Sequence, residues 1–291
     1  MKNLLAYEEE QEETLKLIYN AKRSKVKLKD SDDEYDVKEL IKNKYDAITE
    51  RYNDYDRLKN QLEDINDSTL SDLEKKAMIN CYEKSTGSLS SLKKRIRLKQ
   101  PKELQSICAY CGINYPGTFD HYIPKTPYPE FSVYGPNLIP CCGECNSKKN
   151  DDWISDKNKK RIFLNFYYDS IPNFQIIESI ITIEDDVPKI QFQFIKNNSD
   201  YEYKKLINSF TTENHYIKLN LLSRFKESCN SYIKEKINSL KAHKQFDEES
   251  IKEFLNDEYV GLVETYGANY WKSVTIKGMI DSIDFITYCS K

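Results

Sequence analysis

Residues with recognisable chemistry crowd into one stretch, Cys108 to Lys149, which reads CAYCGINYPGTFDHYIPKTPYPEFSVYGPNLIPCCGECNSKK. Four of its cysteines form two Cys-x-x-Cys pairs, Cys108/Cys111 and Cys142/Cys145. Two knuckles of this kind offer four soft thiolates, the set that zinc takes in a tetrahedral structural site. Cys141 stands beside Cys142 and is an alternative fourth ligand. A shell of four thiolates leaves zinc no open position, so such an ion staples the chain and does no chemistry.

Any chemistry must then come from the insert between the knuckles. Asp120 and His121 are adjacent there, Asn137 follows, and Asn146 comes directly after the last cysteine. Neighbours on a strand point to opposite faces, so Asp120 and His121 are expected to reach different sides of one reacting phosphate. Asp120 and Asn146 offer hard oxygens for Mg²⁺, or Mn²⁺, with waters completing the shell. His121, expected to titrate near neutrality, suits proton removal from an attacking water. His215 and His243 fall in helical surroundings without evident partners and read as surface or packing residues.

The flanking sequence must position this stretch. Residues 1–100 have almost no Gly or Pro before Gly87 and read as a helical arm. A first helix is expected over Lys2–Lys29, with acidic residues early and basic residues late, and the polar stretch Asp30–Glu34 ends it. A second, Tyr35–Ile65, carries Ile41, Tyr45, Ile48, Tyr52, Tyr55, Leu58, Leu62 and Ile65 at coiled-coil-like spacing with one phase slip. Ser71-Asp-Leu-Glu74 is a capping box opening a third helix to Lys84. A short fourth helix carries Lys93, Lys94, Arg95, Arg97 and Lys99, a basic strip suited to phosphate. Lys157, Lys159, Lys160 and Arg161 could extend that strip. Further on, Ile176–Glu184 and Lys189–Ile195 read as a β-hairpin around Asp185–Pro188. Leu219–Lys244 reads as a long amphipathic helix with Leu222, Phe225, Cys229, Ile233, Ile237 and Leu240 on one face. Two or three helices follow within residues 247–288. The expected fold class is α+β and predominantly helical, with an arm at 1–100, a zinc-stapled core at 101–166, and a helical region with a hairpin at 167–291.

The order Cys108-Ala-Tyr-Cys111, Asp120-His121-Tyr-Ile-Pro124, Asn137-Leu138, Cys142-Gly-Glu-Cys145-Asn146-Ser-Lys-Lys149 resembles the HNH, or ββα-metal, endonuclease family. The resemblance implies two strands, a loop and a helix, with His121 on the first strand and Asn146 on the helix. It implies His121 as general base, Asp120 and Asn146 as Mg²⁺ ligands, and Asn137 as the residue that orients His121 and fixes the loop. It implies phosphate contacts from Lys149, with Lys125 and Lys148. Family members often carry a Gly-Gly pair after the Asp-His-x-x-Pro element, where this chain has Gly135 alone. The C-terminal region resembles more loosely that of HNH nucleases from prokaryotic antiviral systems, some of which work beside an ATPase. That likeness rests on Phe166-Tyr-Tyr-Asp169, the hairpin, Ile217–Phe225 and Asn269-Tyr-Trp-Lys272.

Composition bounds these readings. The chain has 291 residues, 31% charged and 39% apolar, with 22 Tyr and 12 Phe to build cores. Five of its eight cysteines lie in the central stretch, and Cys81, Cys229 and Cys289 read as buried small residues in a reducing compartment. No membrane span or signal peptide is evident, so a cytoplasmic protein is expected. The net charge of −3 is low for a nucleic-acid binder, so a phosphate-binding surface must be local. It also suggests that a partner docked on the helical arm helps to engage DNA; the resemblance to antiviral nucleases implies an ATPase there, and the arm's coiled-coil-like spacing a second copy. Two other readings stay open: a zinc-stapled module that only binds nucleic acid or protein, and a ribonuclease of the same constellation.

Overall fold

The computed structural model describes residues 1–23, 25–27, 33–195, 210–242 and 246–291. The chain forms two compact units. One comprises Asn3–Ala109 and Tyr115–Asp169, and the other Met1–Lys2, Tyr110–Asn114 and Ser170–Lys291. A boundary near residue 100 is therefore absent, because the N-terminal helices fold with the central stretch as one body. The boundary expected at 166/167 falls at Asp169/Ser170.

In the first unit, helix α1 spans Gln11–Asn20, α2 Val37–Asn43, α3 Tyr45–Leu58, α4 Asp72–Glu83 and α5 Gly87–Leu98. The long first helix is not formed. Leu4 and Tyr7 are buried, but Leu4 donates its N–H to the Phe166 carbonyl, and Gln100 bonds both backbone groups of Leu5. These partners replace helical ones, and Glu10 in the left-handed region (φ 51°) marks where α1 begins. Strand β1 (Val26–Lys27), where helix was expected, pairs antiparallel with β2 (Glu34–Tyr35), which spans the end of the expected break and the first residue of the expected second helix. Lys29 and Asp30–Asp32 lie outside the described residues.

The expected helix over Tyr35–Ile65 breaks at Lys44 into α2 and α3. Its apolar face is real, with Ile41, Ile48, Tyr52, Tyr55, Leu62 and Ile65 buried, but it does not form a coiled-coil seam. Tyr52 stacks on Tyr134 at 4.2 Å, and Tyr55 meets Phe131 and Tyr134 edge-on at 5.1 and 5.2 Å. The capping box forms as expected, with Ser71 and Glu74 satisfying each other's backbone N–H at the start of α4.

Strands β3 (Thr118–His121) and β4 (Leu138–Cys141) pair antiparallel, with Asp120 opposite Ile139 and His121 opposite Leu138. Helix α6 (Gly143–Lys149) follows immediately, giving the expected strand, strand, helix order. The connection between the strands runs through two single 3₁₀ turns, Pro129–Val133 and Gly135–Asn137.

In the second unit, β5 (Ile177–Glu184) and β6 (Val187–Phe194) form the expected hairpin. Its turn is Asp185-Asp186 (φ 50° and 59°), the left-handed pair that a two-residue hairpin favours. Helices α7 (Phe210–Lys218), α8 (Leu221–Ala242), α9 (Glu248–Tyr266), α10 (Trp271–Asp281) and α11 (Ile283–Ser290) complete it. On α8, Leu221 is buried in place of Leu222, and the remaining expected positions hold. Gly278 lets α10 lie on β5, since a Cβ there would sit 2.1 Å from Ser179 Oγ. His215 is fully buried and has a partner, its Nε2 donating to the Tyr110 carbonyl at 2.9 Å. His243 and Lys244 lie outside the described residues. Cys81, Cys229 and Cys289 are buried singly, as expected. No helix among the described residues is long and apolar enough to cross a membrane.

Candidate active site and metal centre

Cys108, Cys111, Cys142 and Cys145 are all buried, with their four sulfurs within 4.8 Å of one another. That is the scale of a single ion with Zn–S bonds of about 2.3 Å. Backbone N–H groups turn toward the sulfurs: Cys142 N–H to Cys108 Sγ at 3.2 Å, Ile113 N–H to Cys111 Sγ at 3.4 Å and Cys145 N–H to Cys142 Sγ at 3.5 Å. Such donors support thiolates. The donor set therefore fits a structural metal such as zinc. Cys141 is excluded from the cluster because it lies in β4, where Thr118 Oγ1 donates to its carbonyl at 2.9 Å. Burial, and next the neighbouring Asp120 carboxylate, push its thiol well above its ordinary value.

Strand β3 separates two sets of side chains, as alternation requires. Thr118 and Asp120 face α6. Asn146 Nδ2 donates to Thr118 Oγ1 at 3.4 Å, and Lys149 Nζ lies 3.1 and 3.3 Å from the two Asp120 oxygens. Phe119 and His121 face α4 and α5. The His121 ring meets Tyr82 edge-on at 4.3 Å, Lys93 Nζ lies 4.0 Å above Tyr82, and the Arg97 guanidinium lies 4.9 Å from the Phe119 ring.

His121 Nε2 lies 2.9 Å from the Ser132 carbonyl. A carbonyl can only accept, so Nε2 carries the proton and the neutral ring presents Nδ1 as its acceptor. Burial pushes the imidazole down to about 3; the Ser132 bond opposes this, while Lys125, Lys149 and Lys93 add to it. The expectation of a near-neutral value is thus corrected, since the ring lies between an aromatic wall and three ammonium groups.

Asn137 is fully buried and touches no solvent. Its Oδ1 accepts from Ile123 N–H at 2.8 Å, and its Nδ2 donates to the Ile123 and Phe131 carbonyls at 3.0 and 3.3 Å. It therefore pins the turn that carries the Ser132 carbonyl, a positioning role with no reach to a substrate. Helix α3 braces the same turn: Tyr55 donates to the Pro136 carbonyl at 3.2 Å, and Tyr134 donates to Asp56 at 2.6 Å.

The basic residues divide. Lys93, Lys94, Arg97 and Lys125 line an open groove of about 1110 Å³, together with Asp120, His121 and Asn146. Arg95 does not, because it lies on another face of α5 and pairs with Glu10 at 3.0 Å. Lys148 pairs with Glu144 along α6 at 3.0 Å, outside the groove lining. Lys149 is fully buried, holding Asp120 and donating to the His121 carbonyl at 3.0 Å, so it cannot contact phosphate. Arg161 is committed to Glu63 and Asp169 at 2.7 and 2.8 Å. Tyr82, Thr118, Ser132 and Lys102 were not singled out by sequence. Strand alternation from Asp120 could have found Thr118. The other three depend on tertiary packing.

No family model matches this chain, and no solved structure matches it. Among curated proteins, ea31 of Escherichia phage lambda is 48% identical over 40 residues, 13% of this chain. The matched stretch spans 14% of the length of ea31, a local similarity.

Proposed function

We propose that this chain is a Mg²⁺-dependent endonuclease of the HNH, or ββα-metal, type that hydrolyses phosphodiester bonds of DNA. The observation that carries the reading is the His121 tautomer: Nε2 held by the Ser132 carbonyl, with Nδ1 as the proton acceptor in a groove shared with Asp120 and Asn146. His215 is held in the same way by the Tyr110 carbonyl but is fully buried, so what sets His121 apart is that it shares an open groove with a carboxylate and an amide.

In this reading a phosphodiester enters the groove beside Lys93 and Lys125. Burial keeps the His121 ring neutral at physiological pH, so Nδ1 is available to take a proton from the attacking water, although as a weaker base than an ordinary imidazole. Lys149 fixes the Asp120 carboxylate, whose roughly four lone-pair sites exceed what one ammonium can occupy. The hard oxygens of Asp120 and Asn146 suit Mg²⁺, which when bound supplies positive charge for the phosphorane and the leaving 3′ oxygen. The four-cysteine cluster, as zinc, holds α6 against the strands. The thiol-rich cluster favours a reducing cytoplasm. The net charge of −3 supports activation by a protein partner, ATPase-like or a second copy, at the N-terminal helices that brace the site turn.

Supercoiled plasmid and RNA of similar length, incubated with Mg²⁺, with Mn²⁺ and without divalent cation, test the proposal. Nicked plasmid that requires the cation is expected. Cleavage of RNA alone moves the reading to a ribonuclease. No cleavage of either, at high protein concentration and low salt, leaves a binding module. Efficient nicking by the isolated protein at physiological salt removes the need for a partner.

A further inference from the structure

The groove wall beside the catalytic residues ends in two side chains that a polar phosphate channel does not require. Tyr115 is 63% exposed and Leu98 is 60% exposed, and both line the groove. The backbone under Tyr115 is fixed: Gly117 N–H returns to the Tyr115 carbonyl at 2.9 Å, and Arg97 Nη2 donates to the Pro116 carbonyl at 2.8 Å. The Arg97 guanidinium lies 5.9 Å from the Tyr115 ring centroid. An aromatic ring is thus held out to solvent on a rigid turn, with a cation beside it, three residues before Thr118.

The cations of the groove are few, and most are already engaged. Lys93 sits over Tyr82, Arg97 is bound to Pro116, and Lys125 pairs with Glu83 at 3.5 Å. Lys94 and Lys102 are the exposed lysines of the lining. A duplex binder can make on the order of 6–10 such phosphate contacts. This groove offers fewer, on a chain of net charge −3. Stacking one base on an aromatic side chain is worth roughly 5- to 150-fold in affinity, and it needs a base that is not paired and stacked within a duplex.

We infer that Tyr115, flanked by Leu98 and Arg97, is a stacking platform for an unpaired base next to the scissile phosphate. The preferred substrate is then single-stranded DNA or a single-stranded stretch within duplex. The inference rests on the nuclease reading only for where the cut falls. The binding it describes is measurable without cleavage.

The test uses full-length, zinc-loaded protein carrying His121→Ala, with fluorescein-labelled oligonucleotides as a single strand and as the matching duplex. Fluorescence polarisation at one fixed salt concentration reads affinity. The single strand is expected to bind more tightly than the duplex. Adding Tyr115→Ala should weaken single-strand binding by about 5-fold or more, while Tyr115→Phe stays within about 2-fold, and duplex binding changes little. Tighter binding of duplex, or equal losses on both substrates, or no loss with Tyr115→Ala, overturns the platform. If wild type nicks plasmid and Tyr115→Ala is without effect, the platform fails and the nuclease reading stands. If wild type cuts nothing but single-strand binding depends on Tyr115, the platform stands and the nuclease reading fails.

Discussion

The four-cysteine cluster and the Asp120–His121–Asn146 groove are both candidate metal sites, and they are built in opposite ways. The cluster is dry, soft and closed: four buried sulfurs within 4.8 Å, with backbone N–H groups as supporting donors. The groove is hard and open: a carboxylate, an amide and an imidazole line it, with the exposed Lys94 and Lys102 along its walls. A closed shell supplies folding energy and no reactivity, whereas an open one leaves room for water and substrate. The strand, strand, helix segment joins the two kinds, since α6 carries Cys145 on its buried side and Asn146 one residue on.

Breaking the closed site should have the largest effect. Cys145→Ser removes a thiolate from a shell whose apparent binding energy in small zinc modules is on the order of 10–16 kcal/mol. Loss of zinc by elemental analysis, together with a collapse of the thermal transition, is expected. Retained zinc and an unchanged melting temperature would mean that the cluster is not a structural metal site.

The groove should respond to Lys149 next. Lys149→Ala leaves Asp120, 2% exposed, without the ammonium that faces both its oxygens, a change worth about 3–5 kcal/mol. Chemical denaturation should show that loss, and Lys149→Ala with Asp120→Asn should recover part of it. A neutral effect of Lys149→Ala would return Lys149 to a surface role.

Asn137→Ala sharpens the contrast between holding and reacting. It strands the Ile123 N–H and the carbonyls of Ile123 and Phe131, at about 3 kcal/mol in total. It also frees the turn that carries the Ser132 carbonyl, so nicking should fall more than stability alone explains. Nicking that tracks the folded fraction would confine Asn137 to stability.

The sequence made these sites legible to different degrees. The knuckles could be read because their ligands are local in sequence, and Asp120-His121 because a strand separates neighbours. The capping box at Ser71 and the hairpin at Asp185-Asp186 were legible for the same reason, since each is a short-range device. The periodicity through Tyr52 and Tyr55 marked a buried face correctly. It could not say that the face covers the Phe131–Tyr134 turn, because spacing carries no information about a partner distant in sequence. The resemblance implied Lys149 as a phosphate contact, which needs an exposed lysine, the default for that residue, and only the fold shows it buried and closing on Asp120. The basic strip was over-counted. Lys93 and Arg97, four apart, share a face of α5, whereas Arg95 turns to Glu10.

The central claim is that the imidazole of His121 does chemistry while the cysteines do not. One preparation of His121→Ala tests it, measured for zinc content, thermal stability and Mg²⁺-dependent plasmid nicking beside wild type. The account predicts wild-type zinc, a melting temperature close to wild type, and nicking reduced by about 10²–10⁴-fold. Nicking at the wild-type rate with zinc and fold intact would contradict it.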